Sequence, residues 1–194
     1  PSAGLLALKA VEFPDGSGLE QFTQRLQNYA IFSPTTPTLR GLVADPQPRD
    51  PVGLNGGRLA EAYGELLRSG AQPDVAAARR ELIDWVDRIS VRAPNDLVSS
   101  SVTAPRRSLV FRDKYMAVGR NELTAYDASE GALYVLFALV LCFHPSAPSM
   151  FAIDNFDQAL NPLLARRLTL EMSKWVLTDD TRQVLLTAHN PLIL

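Results

Sequence analysis

The sequence has little of the chemistry that stabilises small secreted proteins or binds zinc, since 194 residues include one cysteine and two histidines. A single thiol cannot form an internal disulfide, and Cys142 lies within an apolar run. We therefore expect a buried thiol in a reducing compartment such as the cytoplasm. The same counts exclude zinc frameworks and histidine-rich metal sites.

An excess of charge of one sign is also lacking, because the formal net charge is −2. The chain thus has no basic footprint of the kind that nucleic-acid binding produces, which weakens the case for DNA or RNA without excluding it. Arginine pairs such as Arg79-Arg80 and Arg166-Arg167 are more typical of solvated faces.

Long hydrophobic runs are missing as well. The longest, residues 132–143, would form a helix of roughly 18 Å, which is short of a membrane core of about 30 Å. We expect a buried core helix there and no membrane contact.

The motif Gly-x-x-x-x-Gly-Lys-Ser/Thr is absent from the sequence, so the phosphate loop that many nucleotide-binding proteins use is not found in it. The sequence opens with Pro1 rather than Met, and we expect it to be a piece of a longer protein. Its length allows one domain, or most of one, with room for a real core.

The most informative stretch is the short apolar run 150–153, which ends abruptly at Asp154. Such a run predicts a strand buried on both faces, as in a parallel sheet. Ligands of open parallel sheets bind beyond the carboxyl ends of the strands. Asp154 is therefore well placed to hold a metal ion or its water shell. The alternative is a solvated aspartate at a strand end.

Two other segments accompany it. Ser129-Glu130-Gly131 opens the apolar helix, and an apolar strand at 184–187 precedes His189. A helix amino terminus offers unpaired N–H groups to a phosphate, and Gly131 removes a side chain where a ligand must approach closely. Ser129 also fits an ordinary N-cap with Glu130 in the first turn, and a lone histidine at a strand end is commonly structural.

The order of these segments, completed by the Asn161-Pro162 turn and a helix between the two strands, resembles the C-terminal half of an ATP-binding-cassette-type ATPase domain. The likeness covers about residues 123–194. It is greatest for the soluble, AAA-type branch shared by structural-maintenance-of-chromosomes proteins, overcoming-lysogenization-defect nucleases and phage-defence ATPases. In that branch the signature shrinks to a Ser-Asp/Glu-Gly core, as Ser129-Glu130-Gly131 does here.

The resemblance implies an α/β fold of the P-loop NTPase type, with a parallel core sheet flanked by helices and a helical and antiparallel lid. Residues 1–122 would form the lid region and residues 123–194 the ATPase core. In the lid region the patterns predict helices at 59–67 and 75–89, and strands at 5–13, 97–103 and 108–118. Leu109, Phe111 and Tyr115 would form the buried face of the last strand.

The resemblance also assigns roles beside the nucleotide, with ATP and Mg²⁺ as cofactors. Asp154 matches the family's magnesium-side acid, and His189 matches the histidine that contacts the γ-phosphate. Asn155 replaces the usual glutamate. An amide orients water but takes up no proton at neutral pH, and loss of a general base commonly costs roughly 10²–10⁴ in rate.

Other roles lie at the contact between two copies. In the family, the signature tripeptide Ser129-Glu130-Gly131 reaches the nucleotide bound by the other subunit. Asp157, Leu160 and Asn161 match the D-loop that crosses the dimer interface. Asn161 and Pro162 are also a good N-cap and first helical residue. The resemblance therefore implies a homodimer or higher oligomer.

Three functions follow as hypotheses. The first is a dimeric ATPase of bacterial anti-phage defence that works with a nuclease partner, as the Septu or retron-associated ATPases do; the stretch 154–157 is similar to theirs. The second, favoured by Asn155, is a hydrolysis-deficient ATP sensor, scaffold or DNA clamp. The third is the same ATPase fused to a nuclease domain.

Overall fold

The computed structural model describes residues 16–70, 72–93, 107–179 and 181–191. The strands expected at 5–13 and 97–103 lie outside these residues. The described elements are, in chain order, α1 (Gly18–Asn28), β1 (Ala30–Phe32), α2 (Thr36–Leu39), α3 (Leu59–Arg68), α4 (Gln72–Leu82), β2 (Val86–Arg92), β3 (Ser108–Asp113), β4 (Glu122–Thr124), α5 (Glu130–Phe143), β5 (Met150–Ile153), α6 (Pro162–Leu177) and β6 (Gln183–Leu186).

A parallel sheet with the strand order β1-β5-β6 carries the predicted strand at 150–153 in its centre. Ala152 lies between Ile31 of β1 and Leu185 of β6 in the register. Because all three strands run the same way, their carboxyl ends meet at one edge of the sheet. Asp154 is the first residue beyond β5 at that edge.

The core lies between this sheet and α5. Phe137 of α5 meets Phe32 edge-on with ring centroids 6.0 Å apart, and Phe32 meets Phe151 at 6.1 Å. Residues 132–142 of α5 are all buried, which confirms the predicted core helix. Burial raises the pKa of Cys142 to about 12, so its thiol is protonated and unreactive at neutral pH.

The opposite face of the parallel sheet is more open. Ile31 is 53% exposed and Leu185 is 48% exposed, and both lie on this face beside Ala152. Parallel sheets are normally covered on both faces. The exposed face is therefore a surface that another element or another chain can cover.

A second, antiparallel sheet has the order β2-β3-β4. The helix predicted over 75–89 is wrong in its second half, because α4 ends at Leu82 and Val86 and Ile89 belong to β2. A register shift between Val86 and Arg88 lets both apolar residues face the core three positions apart. This bulge reproduces the spacing of a helix, which explains the wrong prediction.

The strand predicted over 108–118 is shorter than expected, since β3 ends at Asp113. The Asp113 carboxylate accepts hydrogen bonds from the backbone N–H groups of Tyr115 (2.7 Å) and Met116 (3.2 Å), and this turns the chain. Leu109 and Phe111 are buried as predicted, but Tyr115 is 72% exposed and takes no part in that face.

The predicted division at residue 122 stays a prediction. The antiparallel sheet falls mainly in the region assigned to the lid, but β1, from the same region, pairs with β5 in the parallel sheet. Within the described ranges, every helix is too short or too polar to cross a lipid bilayer.

Candidate functional site

The carboxyl edge of the parallel sheet holds Asp154 by two contacts. Its backbone N–H donates to the Phe32 carbonyl at 2.8 Å. The Thr187 hydroxyl, at the end of β6, donates to Asp154 Oδ1 at 2.5 Å and accepts from the Asn155 N–H at 2.9 Å. Among the residues that the structure describes, Asp154 Oδ2 accepts no hydrogen bond. One carboxylate oxygen is thus oriented and the other is open to a ligand.

Thr187 was not among the residues that the sequence singled out. Its position gives a signal, because it follows an apolar strand and lies two residues before His189. Its partner, however, is 33 residues away in the chain, and no local pattern predicts that contact.

Asn155 has a backbone φ of +50°, in the left-handed region, and it is the one described residue other than glycine with a positive φ. Asparagine enters this region more readily than most residues. Its presence in place of glutamate therefore suits the backbone here, whatever it does to the chemistry.

Asp157 fixes the loop that carries His189. Its carboxylate accepts from the His189 N–H at 3.2 and 3.3 Å and from the Asn190 N–H at 3.0 Å. The resemblance places Asp157 in a loop that faces a second copy, whereas these hydrogen bonds are made within one chain. The His189 residue itself is exposed.

The other predicted residues lie at two helix amino termini. Ser129 caps α5, with its hydroxyl accepting from the Ala132 N–H at 3.3 Å, and Asn161 caps α6, with its side chain accepting from the Leu164 N–H at 2.9 Å. The predicted N-cap at Asn161 is confirmed. Ser129 and Asn161 line one cleft together with Trp85 and Arg167.

Gly131 lies where these two termini pack against each other. A Cβ atom at this position would lie 3.4 Å from the Ala159 carbonyl and 3.4 Å from a methyl group of Leu164. These are ordinary van der Waals distances, so packing within the chain has room for a Cβ atom and does not by itself require glycine here. Leu160 is half-buried next to it, and Glu130 is exposed in the first turn of α5.

The structure thus sorts the predicted residues into two groups. We call the first the acid edge, which comprises Asp154, Asn155, Asp157 and His189 with Thr187. We call the second the helix-start group, which comprises Ser129, Glu130, Gly131, Leu160 and Asn161. Thr187 and His189 line one cleft, and Ser129 and Asn161 line another. The loop at 154–161 connects the two groups.

The acid edge suits a magnesium ion bound together with phosphates and water better than an ion held by protein ligands alone. No group of three or more Asp, Glu, His or Cys side chains able to hold a metal occurs among the described residues. Magnesium keeps several waters and is bound through one or two carboxylates together with nucleotide phosphates. A single Asp154 with one open oxygen satisfies that need.

A parallel sheet flanked by helices, with an aspartate at its carboxyl edge, is the architecture of nucleotide-binding P-loop domains. Residues 72–194 match the family described as "AAA domain, putative AbiEii toxin, Type IV TA system". The match covers well over half of the chain, and the chain belongs to this family of P-loop AAA-type ATPases. Membership implies binding of a nucleotide, usually with Mg²⁺.

The match begins at residue 72 and so includes α4 and the antiparallel sheet, upstream of the motifs that carried the resemblance. Comparison with curated proteins and with solved structures gives no match.

Proposed function

We propose that this chain is the C-terminal part of an ATP-binding-cassette-type ATPase that holds ATP and Mg²⁺ between two copies. The observation that carries the proposal is the Asp154 carboxylate, with one oxygen bound by the Thr187 hydroxyl and the other open at the carboxyl edge of the sheet. A fixed carboxylate is suited to hold a water of the magnesium shell.

In this proposal each nucleotide contacts both copies. Asp154 and His189 of one copy face the magnesium side and the γ-phosphate, and Ser129, Glu130 and Gly131 of the other copy present the amino terminus of α5 to the same phosphate. Thr187 and His189 of the acid edge line a different cleft from Ser129 and Asn161, and this separation supports a division between copies. The loop at 154–161, which connects the groups and includes Asp157, Leu160 and Asn161, would be at the interface.

For the biological role, we propose a cytoplasmic ATPase of bacterial defence whose nucleotide state controls a nuclease, either a partner protein or a fused domain, with DNA or RNA as its target. The support is the family's description, which names a toxin of a toxin–antitoxin system, and the resemblance to phage-defence ATPases.

The test is ATP binding with magnesium, measured by calorimetry on the complete protein, which must supply the phosphate loop. We expect binding that drives self-association, and Asp154→Ala to weaken it at least about tenfold, since a charged contact of this kind is worth roughly 1.5 kcal/mol or more. Asp87→Ala, an exposed carboxylate on β2, is the matched control and is expected to bind like the wild type. Absence of binding by the complete wild type would overturn the proposal.

A second candidate is an ATP sensor or DNA clamp that binds without efficient hydrolysis, and Asn155 favours it because an amide is no general base. Asn155→Glu supplies the base, and Asn155→Gln has the same length without it. Both side chains meet the same left-handed backbone, at a cost of about 1–2 kcal/mol.

Hydrolysis by the Glu variant alone, with an inert wild type and an inert Gln variant, would establish the sensor. Turnover by the wild type within about tenfold of the Glu variant would instead establish the ATPase, since a missing base commonly costs roughly 10²–10⁴.

A further inference from the structure

The segment 33–40 follows β1 and contains α2, and hydrogen bonds attach it to its surroundings. The Ser33 N–H donates to the Leu54 carbonyl at 2.8 Å, and the Asn55 side chain donates to the Ser33 carbonyl at 2.8 Å. The Tyr134 hydroxyl, from α5, donates to the Pro34 carbonyl at 3.0 Å. Burial raises the pKa of Tyr134, so the hydroxyl stays protonated and remains a donor. These hydrogen bonds therefore fix the position of the residues in this segment.

It carries Arg40, which ends α2. Nη2 of Arg40 donates to the Ala128 carbonyl at 3.3 Å, and the guanidinium carbon lies 5.9 Å from the centre of the Tyr126 ring. Ala128 immediately precedes Ser129. One side chain from a distant part of the sequence thus contacts the turn that leads into α5 at two points.

The Nε atom of Arg40 is buried without a hydrogen-bond partner among the described residues. An unsatisfied buried donor is unfavourable, and such groups in folded proteins call for a reason. Packing alone does not explain an arginine here, because an apolar side chain would fill this space without burying an unsatisfied donor. The contacts with Ala128 and Tyr126 give a reason.

We propose that Arg40 is a positioning residue that holds the turn at 125–128, and with it the backbone N–H groups of the signature tripeptide 129–131, in the orientation that meets the nucleotide of a second copy. This rests on the proposed function. The same segment begins at β1, where the Phe32 carbonyl accepts from the Asp154 N–H at 2.8 Å. The segment therefore links a strand beside the acid edge with the turn that precedes the helix-start group.

The experiment compares Arg40→Ala and Arg40→Lys with Arg49→Ala in the complete protein. Arg49 is the matched control, because it also donates to a backbone carbonyl, that of Asn28 at 3.0 Å, but away from α5. ATP binding is measured at low protein concentration, where single copies predominate, and nucleotide-driven self-association is measured by sedimentation. Hydrogen exchange is followed at Ala128 and Ala132, whose N–H groups are bonded within the turn and cap.

We expect Arg40→Ala to keep the single-copy ATP affinity within about twofold and to weaken self-association about tenfold, the size of a lost charge-assisted hydrogen bond. Exchange at Ala128 and Ala132 should be faster, while exchange in α6 is unchanged, which distinguishes a local effect from general unfolding. Arg40→Lys keeps the charge and can still donate a hydrogen bond, so it is the less disruptive substitution for folding. It should restore part of the self-association and part of the protection from exchange.

The proposal would be overturned if Arg40→Ala associated like the wild type, if Arg49→Ala had the same effect, or if exchange rose equally in α6. Failure of the wild type to bind ATP would remove the proposed function alone. In that case local exchange at Ala128 and Ala132, in the Arg40 variants against Arg49→Ala, still decides whether Arg40 holds the turn.

Discussion

The side chain of Thr187 determines how Asp154 is presented. A hydroxyl accepts from one neighbour and donates to another, and Thr187 does both, with the Asn155 N–H on one side and Asp154 Oδ1 on the other. The carboxylate is thus attached to β6 as well as to β5. A ligand at Oδ2 would meet a group whose orientation is already fixed, and this would lower the entropy cost of binding.

Replacement of this hydroxyl tests that view. Thr187→Val keeps the shape and removes both hydrogen bonds, so we expect the magnesium-dependent ATP affinity of the complete protein to fall about tenfold, for a loss of roughly 1–1.5 kcal/mol. Thr187→Ser keeps the hydroxyl and should bind like the wild type. Calorimetry with and without magnesium provides the measurement. Equal affinities for the valine and serine variants would show that the hydroxyl does not orient Asp154.

The position of Asp154 at the edge of the sheet could be predicted and its contact with Thr187 could not, for a physical reason. An acid directly beyond a buried strand is a local pattern, and parallel sheets place that position at a ligand-binding edge. The Thr187 and His189 contacts with Asp154 and Asp157 span more than thirty residues. They depend on the register of β5 against β6, and no local pattern in the sequence predicts that register.

The elements show the same contrast. α5 and α6 were predictable because their amino termini carry cap residues, Ser129 and Asn161, whose signals are complete within four positions. β2 was not, because its bulge places Val86 and Ile89 at a helical spacing. The strand β1 was also missed; its three residues lie in a stretch too short to show alternation, and only its pairing with β5 defines it.

The turn between α6 and β6 stabilises the far end of α5 through Arg182. Its guanidinium donates to the carbonyls of Leu141 at 2.9 Å and His144 at 3.4 Å, and its Nε donates to Asp179 at 2.8 Å. Carbonyls at a helix carboxyl terminus lack partners within the helix, and a cation there also meets the negative end of the helix dipole.

We expect Arg182→Ala to lower the free energy of unfolding by about 1.5–3 kcal/mol, the range for hydrogen bonds to charged groups. Chemical denaturation followed by circular dichroism measures it. Arg166→Ala, on the exposed side of α6, is the matched control and should change the stability by less than about 0.5 kcal/mol. An equal, small effect of both substitutions would mean that water satisfies the carbonyl groups at the end of α5 as well as Arg182 does.

At the scale of the whole molecule, the distribution of charge and apolar surface bears on partners. The net charge of −2 argues against a general electrostatic attraction to nucleic acid. A clamp around DNA would have to rely on local arginines or on a second protein. The apolar face with Ile31 and Leu185 is, by contrast, a surface that a further element of the complete protein or another chain would cover.

The proposed division of the site between two copies can be tested by mixing two defective proteins. Asp154→Ala removes the carboxylate of the acid edge, and Ser129→Glu places a negative charge where the phosphate is expected. At an ATP concentration that fills the sites of wild-type dimers but not those of single copies, each variant alone should bind little ATP. In a mixed dimer, the copy with Ser129→Glu supplies Asp154 and its partner supplies an intact tripeptide, so one of two sites is complete. Random pairing of equal amounts makes half of the dimers mixed, and about a quarter of the sites should bind ATP.

Nucleotide bound per chain, measured on the mixture after exchange of subunits and at the same ATP concentration, provides the result, with each variant alone as the control. Recovery near that fraction requires Asp154 and Ser129 to act from different copies, because no single chain in the mixture carries both. A mixture that binds no more than its components, although subunit exchange is shown by a tag on one variant, would mean that both groups serve the same nucleotide within one chain. The acid edge and the helix-start group of one chain, which the loop at 154–161 connects, would then have to approach each other to contact that nucleotide.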